Sequence, residues 1–244
     1  EGGDISLEEL KRRGFRAVCL APGANLGRRA DVPGEDLRGV FHGIEFLRAA
    51  RADRRDAVSS LPDFPRGGAV VVIGGGDVAM DAALSARRMG AARVELFCLE
   101  DENSMPAFPH NIADARAEGV LIHAGWGVRE VGGKDGRVRG LVLRRCLSVW
   151  DDAHAFRPVF DDNETREVGA DAVVFAIGQA SDLSLFPNLE KASATRLKVD
   201  PVTFGTSIWN VFAAGDAVTG PASVIKAIAG GREAAVSIDR LMQG

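Results

Sequence analysis

The sequence predicts an α/β fold in which one strand-and-helix unit, carrying a glycine turn, is inserted into a second unit. Three observations predict it. The apolar run AVVVI, residues 69–73, enters Gly74-Gly75-Gly76 and continues into a helix-like stretch closed by Gly90. Strand-like and helix-like segments alternate beyond it, as a parallel sheet requires. The stretches RAVCLAPG (16–23) and DAVVFAIG (171–178) echo one another, each an apolar run ending in Ala-x-Gly. Such a pair marks two matched crossings, before and after an inserted domain.

The elements follow in order. SLEELKRRG (6–14) reads as a helix whose Ser6 and Glu9 have the spacing of a capping box. Val18 to Leu20 are strand-like, and Ala21 to Ala24 a glycine-containing turn. A Pro/Gly loop, DVPGED, leads to a helix near Ile44 to Arg51. Residues 52–67 are polar with two prolines and read as a linker and boundary. The second unit begins at Gly68: strand, glycine turn, helix, then the strand ARVELFCLE, a helix HNIADARAEG and the strand VLIHAG. Alternation around Gly132-Gly133-Lys134-Asp135-Gly136 argues for an antiparallel hairpin. The polar stretch from Ser148 to Glu167 reads as a surface loop or a further hairpin, and the strand DAVVFAIG follows. Near the end, Val211 to Ala214 form a strand into Gly215-Asp216, ahead of a helix expected to open on Pro221.

Composition limits the function. The chain has 244 residues, 46% hydrophobic and 26% charged, with a net charge of −4, ordinary for a globular protein. Its basic clusters are interleaved with acids, so no nucleic-acid partner is expected. No apolar run approaches the roughly 18 residues of a membrane span, and the start has no signal-peptide pattern. The three cysteines form no C-x-x-C, so this chain is expected to hold no iron–sulfur cluster of its own. Cys19 and Cys98 read as buried thiols of a reduced, cytoplasmic protein. The four histidines show no ligand spacing, so no metal site is expected. Tyrosine is absent, which excludes dehydrogenases that use a Tyr–Lys acid. A complete 2-hydroxy-acid dehydrogenase would need a His–Asp and Arg set to which nothing here points.

Gly74, Gly76 and Ala79 match Gly-x-Gly-x-x-Gly/Ala, between a strand and a helix. The first glycine makes the tight turn and the second admits a pyrophosphate to bare backbone. The third small residue packs helix on strand, and the helix N-terminus meets the phosphates. The inserted unit is therefore read as a Rossmann-like dinucleotide-binding domain, with Gly74, Gly75, Gly76, Asp77, Val78 and Ala79 at the cofactor. Glu100 ends the second strand near the usual spacing of about 20 residues for an acid that binds the ribose hydroxyls. A 2′-phosphate there would meet Glu100, Asp101 and Glu102 with like charge, and no Arg or Lys follows until Arg116. NAD(H) is therefore expected in preference to NADP(H), with Arg87 and Arg88 as the cations that could swing in. No second glycine set in the chain sits between strand and helix in this way.

VVVIGGGDVAMDAALSARRMGA, then Met105-Pro106-Ala107, DAVVFAIGQ and VFAAGDAVTGPASVIKAIAGGREAA, in this order, resemble the small subunit of glutamate synthase and its relatives. The resemblance covers nearly the whole chain. It implies an FAD-dependent oxidoreductase in which a flavin-binding α/β domain is interrupted by the nicotinamide domain. It implies segments at 1–65 (partial flavin domain), 66–179 (nicotinamide domain) and 180–244 (partial flavin domain). The flavin's own glycine cradle is expected upstream of Glu1, so FAD belongs to the full-length protein and the flavin domain here is truncated. The resemblance places Gly23, Gly215, Asp216, Ser223 and Val224 at the flavin, with Asp216 toward a ribityl hydroxyl. It places Met105 and Gly178 at the nicotinamide cofactor. It implies electron transfer to an iron–sulfur domain or subunit of the same enzyme. The chain departs from the family at Pro22, at Lys226, and at Cys98-Leu99-Glu100-Asp101, where basic residues are usual. The alternative reading is a non-catalytic dinucleotide-binding or docking module. No acid–base residue is required by either reading, and none is named.

Overall fold

A computed structural model describes residues 5–51 and 61–244. The chain forms two compact units, one of residues up to Leu26 and from Gln179 onward, the other of Gly27–Gly178.

In chain order the elements are α1 (Leu7–Arg12), β1 (Val18–Leu20), β2 (Leu26–Gly27), β3 (Val40–His42), α2 (Gly43–Arg51), β4 (Ala69–Ile73), α3 (Asp77–Arg88) and β5 (Arg93–Cys98). There follow α4 (Pro109–Ala117), β6 (Leu121–Ala124), β7 (Trp126–Lys134), β8 (Arg137–Trp150), β9 (Phe156–Gly169) and β10 (Ala172–Phe175). The chain closes with β11 (Gln179–Ala180), β12 (Lys191–Ser193), β13 (Arg196–Leu197), β14 (Val211–Ala213), α5 (Asp216–Thr219) and α6 (Val224–Gln243).

The Gly27–Gly178 unit is built on a five-stranded sheet of order β3-β10-β4-β5-β6, every neighbouring pair parallel. Both faces are covered, which explains the unbroken apolar strands. Val70 and Val72 point into a core shared with Phe46, Ala79, Met80 and Ala83 of α2 and α3. Val71 and Ile73 point the other way, toward Leu141, Leu143 and Val168 of the antiparallel sheet β7-β8-β9. At the edge of that second core, buried Glu95 is bonded by His123 Nε2 at 2.9 Å and flanked by Arg93 and Arg166. The β7–β8 hairpin turns on Asp135 and Gly136, both with positive φ (55° and 73°), as a two-residue turn of matching twist demands. The stretch from Ser148 takes the hairpin alternative, as the ends of β8 and β9.

Three sequence expectations change here. The first crossing falls after Leu26 and not at residue 65. Val40–His42 pairs with β10 in the five-stranded sheet, and Phe46 and Leu47 of α2 join its helix-side core, so this segment belongs to the glycine-turn unit. The second crossing falls after Gly178, one residue before the expected place. Of the linker at 52–67, residues 52–60 lie outside the described residues. Leu61 and Phe64 are buried core side chains, so that part is no linker.

The other unit pairs β1 with β14 in parallel, Val18 opposite Val211 and Leu20 opposite Ala213. Val211 and Ala213 face one small core with Leu20, Leu183, Leu189 and Leu197; Phe212 and Ala214 face another with Ala234 of α6. Cys19 is exposed, against expectation. Its neighbours Val18 and Leu20 take the covered face of the short strand, and strand alternation turns Cys19 away from it. Ser6 caps α1 by accepting from Glu9 N at 3.1 Å, but the Glu9 carboxylate bonds Arg13 Nε at 2.8 Å instead of closing the capping box.

Candidate functional site

The glycine turn lies at the carboxyl end of β4, where open parallel sheets bind ligands. Its three glycines serve different ends. Gly74 has φ +137°, and a side chain there would collide with the Ala176 carbonyl oxygen at the end of β10. Gly74 is thus required by the protein itself; a Cβ there would also lie 3.4 Å from the Cβ of buried Ala79. A Cβ on Gly75 would lie 2.7 Å from Glu100 Oε2 and 3.3 Å from Pro106 Cδ. Gly76 is different. Its φ of −91° and ψ of 176° are open to any residue, and no protein atom lies within 4 Å of a Cβ placed there. Protein packing therefore does not explain this glycine.

Gly76 is also the N-cap of α3, and no side chain caps the helix. The first-turn N–H groups and the positive end of the helix dipole face the open space beside bare Gly76. Asp77, the first helical residue, has another task. Its Oδ1 accepts from Phe108 N at 2.9 Å and Asn111 Nδ2 at 2.8 Å, which holds the start of α4 against α3. Val78 packs toward Gly43, where a Cβ would come within 3.3 Å of its Cγ1. Met105 is a buried core residue. The Met-Pro-Ala segment reaches the turn through backbone: Ala107 N donates to Gly75 O at 3.0 Å. Gly178, with φ +115°, follows β10, and its carbonyl accepts from Arg28 N at 3.0 Å.

The acidic run at the end of β5 divides three ways. Glu100 is half-buried beside Gly75, and burial raises its pKa above the ordinary carboxylate range. Burial, together with the Glu100 charge, pushes the neighbouring Cys98 thiol up to about 12. Asp101 folds onto Ser104 and Asn103, accepting from Asn103 N at 2.8 Å and Ser104 N at 3.1 Å; these bonds lower its pKa. Glu102 is exposed and faces Arg116 at 3.4 Å. Of the three, Glu100 alone adjoins the glycine turn. Arg87 donates to the carbonyls of Glu118, Ala91 and Ala92, and Arg88 pairs with the Glu118 carboxylate, so both have partners other than Glu100. Beside the ends of β5 and β6 a cleft of about 730 Å³ opens, lined in part by Leu99, Asp101, Gly125, Trp126 and Arg145. Sequence reading missed Trp126 and Arg145, which carry no local motif. The pairing of β7 with β8 sets them opposite each other.

In the other unit, the turns carrying Gly23 and Gly215 follow the parallel neighbours β1 and β14, and so lie at the same end of the pair. Both glycines have φ +72°. Asp216 opens α5, and its Oδ1 accepts from Ala222 N at 3.2 Å. That turn keeps Pro221 outside any helix, contrary to expectation. The long helix starts at Val224 instead, capped by Ser223 Oγ accepting from Lys226 N at 3.4 Å. Val224 is exposed at the opening of this helix. Gly230 lies against the Gly215 backbone, with a Cβ position 3.6 Å from Gly215 N; Gly231 has no such neighbour.

Comparison with known proteins shows the family and the fold. The sequence profile of the family described as pyridine nucleotide-disulphide oxidoreductase matches residues 4–231. The chain is 38% identical to the NADP(+)-dependent formate dehydrogenase subunit beta of Moorella thermoacetica, over 99% of this chain and 34% of that one. It is 35% identical to the glutamate synthase [NADPH] small chain of Halomonas elongata, over 97% of this chain and 52% of that one. The chain thus spans between a third and about half the length of these relatives. Among solved structures it superposes on FprA of Mycobacterium tuberculosis in complex with NADPH, with TM-score 0.75 and 20% identity, covering 98% of this chain and 66% of that one. Thioredoxin reductase of T. acidophilum gives TM-score 0.71 and 19% identity, covering 93% and 66%. At these identities the structures show the shared α/β fold. No helix among the described residues is long and apolar enough to cross a membrane.

Proposed function

The chain belongs to the pyridine nucleotide-disulphide oxidoreductase family, and from that premise we propose that it forms the nicotinamide-binding core of an FAD-dependent oxidoreductase. The observation that carries the reading is Gly76. It is a glycine that the protein's own packing does not require, at an uncapped helix N-terminus on the carboxyl edge of a parallel sheet. A dinucleotide pyrophosphate needs such a place. Gly76, with the N–H groups of the first turn of α3, would hold the pyrophosphate. Gly74, Gly75 and Ala79 shape the turn, and Asp77, Val78, Met105 and Gly178 support it. Gly23, Gly215 and Asp216 would hold part of the flavin, with Ser223 and Val224 opening the helix beside it. When bound, the two cofactors supply the hydride chemistry, and the chain supplies orientation, distance and electrostatics. An iron–sulfur domain or subunit of the same enzyme would take the electrons onward.

We further propose that NAD(H) is preferred over NADP(H). Glu100 supports this, because its carboxylate lies beside Gly75 with no ion-pair partner among the described residues. It can accept hydrogen bonds from ribose hydroxyls and would repel a 2′-phosphate by about 1 to 4 kcal/mol at close range. The relatives named above carry NADP(+) or NADPH in their names, so the preference of this chain requires its own measurement. NADH and NADPH are titrated against the same preparation of the 244-residue chain, then against Glu100→Arg. A parent preference for NADH of tenfold or more, narrowed or reversed in the variant, is expected. Equal affinities in the parent, or an unchanged ratio in the variant, remove Glu100 from the ribose site.

A further inference from the structure

We propose that a cleft at the amino end of β4 binds a phosphate group, free or carried by a small phosphomonoester, through Arg66 and Arg139. The cleft lies at the opposite end of β4 from the glycine turn, apart from the nucleotide site proposed there. No motif of the sequence includes it.

The cleft has a volume of about 300 Å³ and is lined by three arginines, Arg66, Arg137 and Arg139, and by one carboxylate, Asp171. Local structure brings the cations there. Gly68 N donates to Pro65 O at 3.2 Å, and Gly67 has φ +72°. Glycine thus takes the third position of a tight turn, and Arg66 stands at its corner. Val138 is fully buried in the core between the two sheets. Strand alternation therefore turns its neighbours on β8, Arg137 and Arg139, to the opposite side together.

The nearby acids are already in use. Asp63 Oδ1 accepts from Arg38 Nη2 at 3.0 Å and also from Arg137. Asp171 Oδ2 accepts from Ala69 N at 2.9 Å, at the start of β4. Arg93 donates to Gly169 O at 2.8 Å and pairs with Glu95. Arg66 and Arg139 are exposed and make no ion pair or side-chain hydrogen bond among the described residues. A chain of net charge −4 thus gathers two uncommitted guanidinium groups on one cleft, with a third that shares its carboxylate. Like cations lining one cleft repel, and a bound dianion removes that cost. Guanidinium forks match the oxygens of a phosphate, two donors to two acceptors. The volume lies at the lower end of small-molecule sites, roughly 300–1,000 Å³. It admits a phosphate with a short organic group and excludes a dinucleotide.

The test uses the full 244-residue chain, both as the parent and as Gly76→Val, in which the glycine turn is blocked to phosphate. Inorganic phosphate and glycerol 3-phosphate are titrated at constant ionic strength, with chloride as the balancing anion, and backbone amide NMR shifts are followed. Shifts at Arg66, Gly67, Gly68 and residues 137–139 that saturate with phosphate are expected in both chains alike. Arg66→Gln and Arg139→Gln, each checked for an unchanged melting temperature, are expected to weaken this binding about fivefold or more, and the double variant to abolish it. Saturation by both probes identifies a phosphomonoester site, and saturation by inorganic phosphate alone a site for the free ion. Shifts at these amides that do not saturate with either probe, or that chloride alone reproduces, overturn the proposal. So do shifts that vanish in Gly76→Val, which would assign the phosphate to the glycine turn, or that persist in the double arginine variant.

Discussion

Replacing Gly76 by valine separates a ligand site from a structural turn, because the structure gives the variant almost no folding penalty. The φ of −91° and ψ of 176° lie in the extended region that β-branched residues favour. No protein atom lies within 4 Å of the new Cβ. The remaining cost is that of a poorer N-cap, about 1 kcal/mol, or a fall in melting temperature of roughly 2–4 °C for a chain of this size. The effect on a bound pyrophosphate is larger. The branched side chain fills the space in front of the first-turn N–H groups of α3, and the phosphates must withdraw from them. Losing one or two charge-assisted hydrogen bonds at about 1.5–3 kcal/mol each weakens binding by about 10- to 1000-fold or more. Calorimetric titration of NADH into parent and variant, with circular dichroism to verify the fold, measures this. A variant with a native spectrum and an NADH affinity within threefold of the parent refutes the assignment of the pyrophosphate to this turn.

Gly74→Ala should behave in the opposite way. Positive φ and collision with the Ala176 carbonyl should cost about 2–4 kcal/mol of stability, seen as a melting temperature lower by roughly 5–15 °C; an unchanged melting curve contradicts the packing argument. Glu100→Gln tests the buried carboxylate. Burial raises the folded-state pKa of Glu100 above its unfolded value, so the folded state is relatively favoured at low pH and loses that advantage as pH rises through the raised pKa. The glutamine variant should therefore be more stable than the parent at neutral pH and equal to it below about pH 4, as followed by thermal melts across pH. Asp77→Ala removes the acceptor for Phe108 N and Asn111 Nδ2. Its cost should be about 1–2 kcal/mol, with faster amide exchange at Phe108 than in the parent; unchanged exchange there would show that the start of α4 is held by other contacts.

The sequence by itself determined the strand, glycine turn and helix at 69–88 and the acid at the end of the next strand. These depend on short-range properties: apolar runs, the conformational freedom of glycine, and distance counted along the chain. It also marked the second crossing to within one residue, but set the first at residue 65, whereas the units divide after Leu26. Tertiary structure decided which unit Val40–His42 and α2 join, because the parallel partner of β3 is β10, far along the chain. A polar, proline-bearing stretch between them looked like a boundary because its buried Leu61 and Phe64 are too sparse to show a period. Tertiary structure also separated three acids that are equivalent as letters: Asp101 is consumed by its own turn, Glu102 faces Arg116, and Glu100 is left beside the glycines. It distinguished Gly74, which the fold requires, from Gly76, which it does not. It set Arg145 against Trp126 through strand register alone. The physical reason is common to these cases. What a side chain touches depends on which strands pair and in what register, and those pairings join residues whose local sequence holds no record of one another.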